Sequence, residues 1–296
     1  MINSQAVKFQ NPKATIFVPD GKPEAEALKR ITHLGIGAHQ DDLEIMAFHG
    51  ILECYHRQDL WFGGVTSTNG SGSSRIGLYG RYTDEQMMAT RFSEQNRAAT
   101  IGHYGAMIHL NHPSSVVKSP VDASLKNDLK EIFKITRPKV VYTHNPADKH
   151  ETHVGVVVAV IQALRELPAE YRPQKVIGSE IWRGLDWMVD SDKVVMDVSA
   201  HQDLAVAVNG IFDSQIAGGK RYDLATLGRR QANATFFESH ATDKATHLIF
   251  GMDLTPLIVD PTLDLIEFVV GHIKTFENDV RKKLSGRLKK QTPFTK

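Results

Sequence analysis

The strongest constraint on this 296-residue chain is a rhythm: between residues 32 and 166, short apolar runs alternate with longer stretches whose apolar residues recur at helical spacing. Thr32 to Gly37 reads as a buried strand ending in a small-residue turn. Glu44 to His56 then places apolar residues at 45, 48, 51, 52 and 55, close to the i, i+3, i+4 spacing of a helix packed on a sheet. Trp61 to Thr66 is a second strand, and a Gly/Ser-rich loop runs from Ser67 to Tyr82. The next helix starts at about Thr83, a suitable N-cap, and runs to Ile101. A third strand at Met107 to Leu110, a helix over 122–136 ending before Pro138, a fourth strand at Lys139 to Thr143 and a helix over 153–166 continue the pattern. Such alternation predicts an α/β fold with a doubly wound, mainly parallel sheet and helices on both faces.

Beyond Pro168 the rhythm loosens. Val176 to Trp182 and Lys193 to Val198 read as strands, 201–233 as one or two helices and 263–284 as a terminal helix, which together make a C-terminal α+β extension. The expected organisation is a polar, Pro-punctuated extension over 1–28, a catalytic core over 29–200 and a helical region over 201–296 packed on it. The basic end, Arg281 to Lys283, Arg287, Lys289 and Lys290, reads as a solvated helix face.

Composition narrows the function classes. With 41% hydrophobic and 23% charged residues the chain has the balance of a folded globular protein. Lys+Arg 35 against Asp+Glu 34 leaves no basic field for nucleic acid. Cys54 stands alone, so neither a disulfide framework nor a cysteine-based zinc cluster can form, and it reads as an inert helix residue. The stretch from Met1 to Gln10 lacks an apolar signal region and no apolar run approaches the ~18 residues of a membrane helix, so the reading is cytoplasmic with no membrane partner. A homo-oligomer stays open.

The 14 histidines matter by position. Ligands of a doubly wound sheet collect at the carboxyl ends of its strands, and two of those ends carry ionisable clusters. After the first strand comes His39-Gln40-Asp41-Asp42, and after the fourth come His144, Asp148, His150 and His153. A borderline-soft divalent cation accepts imidazole nitrogen and carboxylate oxygen, and a catalytic site leaves a position for water. His39, Asp42 and His153 can supply three ligands. Asp41 and Asp42 are neighbours in a loop and point different ways, so one can bind metal while the other takes a proton from the water.

These two motifs, His39-Gln-Asp41-Asp42 after a strand and His150-Glu-Thr-His153 about 110 residues later, resemble those of the LmbE-like or PIG-L family of zinc-dependent amide hydrolases, which remove acetyl groups from N-acetylglucosamine-type sugars and their conjugates. The resemblance covers roughly residues 30–200 and implies a Rossmann-like fold. It implies that His39, Asp42 and His153 hold one zinc ion, with Fe2+ or Co2+ suited to the same ligands. It makes Asp41 the general base and puts His150 where the family has its second active-site histidine. Arg91-Phe-Ser-Glu94 resembles the family's Arg-x-x-Glu helix, whose arginine faces the sugar hydroxyls, and His240 resembles a C-terminal histidine of the family. Gln40 stands where the family usually has Pro, Leu43 where an acidic residue usually follows the Asp pair, and Thr152 where Asp usually precedes the metal histidine. An orienting carboxylate for the imidazole would then come from Asp148.

Two features carry weaker signals. The loop from Ser67 to Arg75 offers backbone N–H groups, hydroxyls and a guanidinium that suit a phosphate, yet it lacks the lysine of a phosphate loop, and a loop over the crevice is the preferred reading. Trp182 and Trp187 suit a sugar platform, with core packing preferred for both. The resulting expectation is an N-deacetylase acting on an N-acetylated amino sugar or conjugate, in which Asp41 activates a zinc-bound water. His150 or protonated Asp41 then protonates the leaving amine. The rivals are another metal-dependent hydrolase, a phosphoesterase or conjugate amidase, and a non-catalytic sugar-binding protein with a structural metal.

Overall fold

In the computed structural model, which describes residues 7–288, eight strands form one sheet. They are β1 (Thr15–Phe17), β2 (His33–Gly37), β3 (Phe62–Thr68), β4 (Ala106–His112), β5 (Val140–His144), β6 (Lys175–Ser179), β7 (Lys193–Asp197) and β8 (Leu248–Asp253), in the order β1-β4-β3-β2-β5-β6-β8-β7. The five strands from β4 to β6 run parallel, while β1, β8 and β7 are antiparallel to their neighbours. The chain leaves β2 toward β3 and β4, then crosses to β5 on the other side of β2. The crevice between the carboxyl ends of β2 and β5 is therefore the switch point of a Rossmann-like sheet, where outgoing loops splay apart and leave room for a ligand.

Helices cover both faces because successive strand residues point to opposite sides. Leu34, Ile36 and Val141 pack under helices Ser124–Thr136 and Glu151–Glu166, whose Leu129, Phe133, Val157 and Val160 are buried. Phe62, Met107 and Tyr142 face the other way, onto Leu43, Phe48, Ile51 and Val208. Thr83 caps helix Asp84–Ile101 as expected: its hydroxyl accepts the Gln86 N–H at 3.2 Å and its own N–H donates to Gln86 Oε1 at 2.9 Å.

Several elements differ from expectation. The helix expected over 44–56 is two, Asp42–Met46 and Phe48–Cys54, separated at Ala47. Its buried face is Leu43, Met46, Phe48, Ile51 and Cys54, whereas Ile45, Leu52 and Tyr55 lie at the rim. Burial pushes the Cys54 thiol up to about 12, which makes it a poor nucleophile. The 1–28 stretch contributes β1 and most of helix Glu24–Lys29, and 201–296 supplies β8 between β6 and β7 as well as helices. The terminal helix is Leu265–Ser285, where Arg281 and Lys283 pair with Glu277 and Asp279 on the solvent side. Lys289 and Lys290 lie outside the described residues. No helix among the described residues is long and apolar enough to cross a membrane.

Candidate active site

The loop after β2 turns sharply onto helix Asp42–Met46. Asp41 takes a left-handed backbone, φ 93°, which is costly for a residue with a side chain and directs its carboxylate away from that of Asp42. Gly37 makes the turn possible, since a Cβ there would come within 2.9 Å of Asp42 Cβ. The Asp42 carboxylate also accepts the His39 N–H at 2.7 Å.

Across the crevice, the loop after β5 is organised by Asp148. Its Oδ1 accepts the His150 N–H at 3.1 Å, while its Oδ2 accepts the Trp182 N–H at 3.3 Å and lies 3.3 Å from His153 Nδ1. Burial raises the Asp148 carboxyl, but the hydrogen bond from His153 outweighs it and holds the group below its usual value. Asp148 thus orients His153 from behind, compensating for Thr152.

With Nδ1 engaged, His153 presents Nε2 to the crevice. His153 Nε2 lies 3.2 Å from His39 Nδ1 and 3.5 Å from Asp42 Oδ1, and His39 Nδ1 lies 3.4 Å from Asp42 Oδ2. The two Asp42 contacts are made by different oxygens, one toward each imidazole, and each separation is close to the ~3.4 Å edge of a tetrahedron whose bonds to a central ion are ~2.1 Å. Burial and the neighbouring His144 lower His153 to about 4, so it is a neutral lone-pair donor at physiological pH. Burial opposes ionisation of Asp42, but the adjoining His153 and His144 imidazoles hold its carboxyl well below the usual range. By donor type and spacing, these residues fit a divalent cation.

Two further histidines border the cluster. The His150 ring lies 4.5 Å from that of His153 and 5.0 Å from that of His39, and His39, His150 and His153 form one of two three-donor sets among the described residues that could hold a metal, neither of which is the expected trio His39, Asp42 and His153. His150 Nδ1 accepts the Thr152 N–H at 3.3 Å, which leaves Nε2–H as a hydrogen-bond donor toward the crevice. His144, which the motif reading gave no role, stands with Asp42 and His153 in another such set. Its Nε2 accepts the Ala38 N–H at 2.9 Å, so that lone pair is already used and His144 serves as a wall stacked 3.9 Å from His153. Its place as the last residue of β5, aligned with the end of β2, was the signal available in the sequence.

Asp41 stands apart from the donor set. Arg91 Nη2 donates to its Oδ2 at 2.7 Å and also to the Gln40 carbonyl, while Nη1 donates to Glu94 Oε2 at 3.1 Å. Burial raises Asp41 to about 6 against the opposing pull of Arg91, which gives a carboxylate poised near neutral pH. Arg91 was expected to face sugar hydroxyls; its side chain is only 1% exposed and its guanidinium is committed to Asp41 and Glu94. The buried face of the helix, rather than its open crevice side, carries it.

Of the remaining candidates, Arg75 is spent inside its own loop, donating to the Ser71 and Tyr82 carbonyls and pairing with Asp84 at 2.6 Å. His240 is exposed and lines none of the pockets described. Trp187 packs against the core, but Trp182 lines a pocket beside Asp41 and Asp42 and is the indole that faces the crevice. Sequence reasoning missed Tyr222, Arg229 and Arg230 on the same pocket, because helix Tyr222–Thr235 carries no motif that links it to the distant loops.

A His/Asp donor cluster at the switch point of a Rossmann-like sheet defines an α/β protein equipped to hold a metal ion. Comparison with known proteins makes the class specific. Residues 34–164 match the model of the family described as PIG-L: GlcNAc-PI de-N-acetylase. The uncharacterized deacetylase YaiS of Escherichia coli (strain K12) is 27% identical over 144 residues, which span 49% of this chain and 74% of that protein. Among solved structures, the N,N'-diacetylchitobiose deacetylase of Pyrococcus horikoshii superposes with a TM-score of 0.57 at 13% identity over 78% of this chain and 88% of that one. GalB, the 4-carboxy-2-hydroxymuconate hydratase of Pseudomonas putida KT2440, superposes at 0.59 with 16% identity over 76% and 96%. At these identities the superpositions establish the fold.

Proposed function

We propose that the protein is a metal-dependent amide hydrolase that removes the acetyl group from an N-acetylglucosamine-type sugar or conjugate, with His39, Asp42 and His153 holding one divalent ion, zinc by preference. The observation that carries this reading is the convergence of those three donors at 3.2 to 3.5 Å beside a separate carboxylate. The deacetylase family of residues 34–164 supports it, as does the name of the diacetylchitobiose deacetylase. The reading places catalysis in a core of 29–200, with 201–296 packed on it and closing the pocket.

A divalent ion in this cluster supplies a Lewis acid for the amide carbonyl and makes an adjacent water easier to deprotonate. Asp41 is the proton acceptor for that water: Arg91 holds one of its oxygens, and burial keeps its affinity for a proton near neutral pH. The water oxygen adds to the carbonyl carbon, and His150, at the crevice mouth, donates a hydrogen bond to the developing oxyanion. The C–N bond breaks as the amine nitrogen receives a proton from Asp41 or His150, leaving acetate and a free amino sugar.

Metal analysis of protein purified without a polyhistidine tag, followed by acetate release across free, phosphorylated and conjugated N-acetyl hexosamines, tests the reading. One ion per chain with acetate release supports it, and a metal-free protein with no acetate release refutes it. The nearness of His150 to the same donors favours one rival, a closed four-donor site of a sugar-binding protein. A His150→Ala variant that keeps its ion but loses turnover excludes that rival, whereas loss of the ion favours it.

A further inference from the structure

Helix Leu265–Ser285 is 21 residues long, yet none of its residues is buried. Local signals build it. The Asp264 carboxylate caps it by accepting the Ile266 and Glu267 N–H groups at 2.8 and 3.0 Å, and Glu277–Arg281 and Asp279–Lys283 pair one turn apart. One side touches the rest of the protein, where Leu265, Phe268 and Val269 pack on the core and His272 Nδ1 stands 3.1 Å from Asp192 Oδ2. The adjoining side is bare: Ile266, Ile273, Phe276, Val280 and Leu284 are 38 to 69% exposed. Helices in proteins owe most of their stability to a covered apolar face, and this one is covered along one edge only.

The bare side carries a repeat that specifies its cover. Ile266, Val270, Ile273, Glu277, Val280 and Leu284 follow one another at alternating steps of four and three, the period of a helix that winds against another helix, and all but Glu277 are apolar. The seam reads alike in both directions about its midpoint. Against the same helix of a second copy, run antiparallel, Ile266 faces Leu284, Val270 faces Val280, and Ile273 lies on the aliphatic stem of Glu277.

Charge fits the same arrangement. The helix starts acidic, at Asp264 and Glu267, and ends basic, at Arg281, Lys282 and Lys283. Antiparallel pairing sets Glu267 beside Arg281 of the other copy at both ends of the seam, whereas parallel pairing stacks like charge on like. A lipid surface suits this helix less well: helices that lie on anionic bilayers have a basic polar face, and here Glu267, Glu277 and Asp279 stand among the bases.

We propose that this face pairs with its counterpart on a second copy of the chain in a two-fold, antiparallel helix pair. About 31 Å of helix on each side gives an interface at the small end of the specific range, under ~1,200 Å² in total, so the dimer forms with a Kd on the order of micromolar. No residue of the seam lines the pocket beside the donor cluster, and the inference stands apart from the amide-hydrolase reading.

The test is sedimentation equilibrium of the full chain, from about a hundredfold below that Kd to a hundredfold above it, where monomer and dimer are expected to exchange by mass action. Ile273→Glu is expected to weaken the dimer about tenfold or more. Its far-UV circular dichroism and its Tm, measured below the Kd, are expected to stay unchanged, which separates lost pairing from lost folding. Glu267→Lys is expected to weaken the dimer about fivefold, and adding Arg281→Glu to restore it, because the reversed pair is again opposite in sign. A monomer throughout, a dimer indifferent to Ile273→Glu, or a double charge reversal no tighter than Glu267→Lys alone overturns the proposal. A chain that stays monomeric but co-sediments with phosphatidylcholine–phosphatidylserine vesicles, and loses this in Ile273→Glu, overturns it in favour of a lipid surface.

Discussion

His109 is a buried histidine whose titration registers in the stability of the fold. It lies on β4 with its ring against Phe92, and its Nε2 is 2.9 Å from Asn96 Oδ1 and its Nδ1 3.1 Å from Thr66 Oγ1. The neutral ring satisfies both contacts, donating to Asn96 and accepting from Thr66. Burial lowers its pKa from 6.5 to about 3. The sign follows directly. As pH falls below 6.5 the unfolded chain takes up a proton that the native state refuses until about pH 3, so stability is lost across that window. With about 1.4 kcal/mol per pH unit, the loss between pH 8 and pH 5 amounts to roughly 2 kcal/mol. Replacing His109 with Gln removes the titration. The variant will be weaker at pH 8, by roughly 1 to 2 kcal/mol for lost ring packing, but its stability will fall by roughly 2 kcal/mol less than wild type on moving to pH 5. Urea unfolding of both proteins at pH 8, 6.5, 5.5 and 5 gives the difference, and comparing the pair cancels every other titrating group. Parallel stability curves for the two proteins would refute the reasoning.

Other outcomes are expected at the candidate site. Asp41→Asn will retain bound metal but lose about 10²- to 10⁴-fold in turnover, measured as acetate release alongside metal content; full activity would remove Asp41 from its role. Asp148→Asn will weaken metal affinity about 10- to 100-fold, read by competition with a chelator, because the hydrogen bond behind His153 is altered. Gly37→Ala will lower stability by roughly 1 to 3 kcal/mol, since the new methyl meets Asp42 Cβ at 2.9 Å; an unchanged Tm would show that the turn yields more easily than the geometry implies.

Much of the architecture was legible in the sequence where local and tertiary signals agree. β2, β3, β4 and β5 sit where their apolar runs fall, and Thr83 begins its helix through a local hydrogen-bond exchange. β1, three residues long and partly exposed, offers too little pattern to read, and β8 becomes a sheet member only through pairing with β6 and β7. The donor loops were legible because the switch point of a parallel sheet concentrates chemistry at known strand ends. The direction of Arg91 was not, because helix Asp84–Ile101 has charged residues on more than one face and only packing decides which is buried. Arg230 was likewise silent, since an arginine in a helix looks the same in sequence whether it meets solvent or the floor of a pocket.

β8 lies between β6 and β7 in the sheet, with helix Tyr222–Thr235 leading into it, and this later part of the chain walls one side of the crevice. Every proposed metal donor falls inside 34–164, the residues matched by the family model, whereas Trp182, Tyr222, Arg229 and Arg230 fall beyond it. On the proposed reading, the metal donors and most of the pocket wall, Lys149 excepted, thus lie in separate lengths of chain. A chimera that keeps the first and exchanges the second for a cousin's would inherit the same reaction with a different taste in molecules.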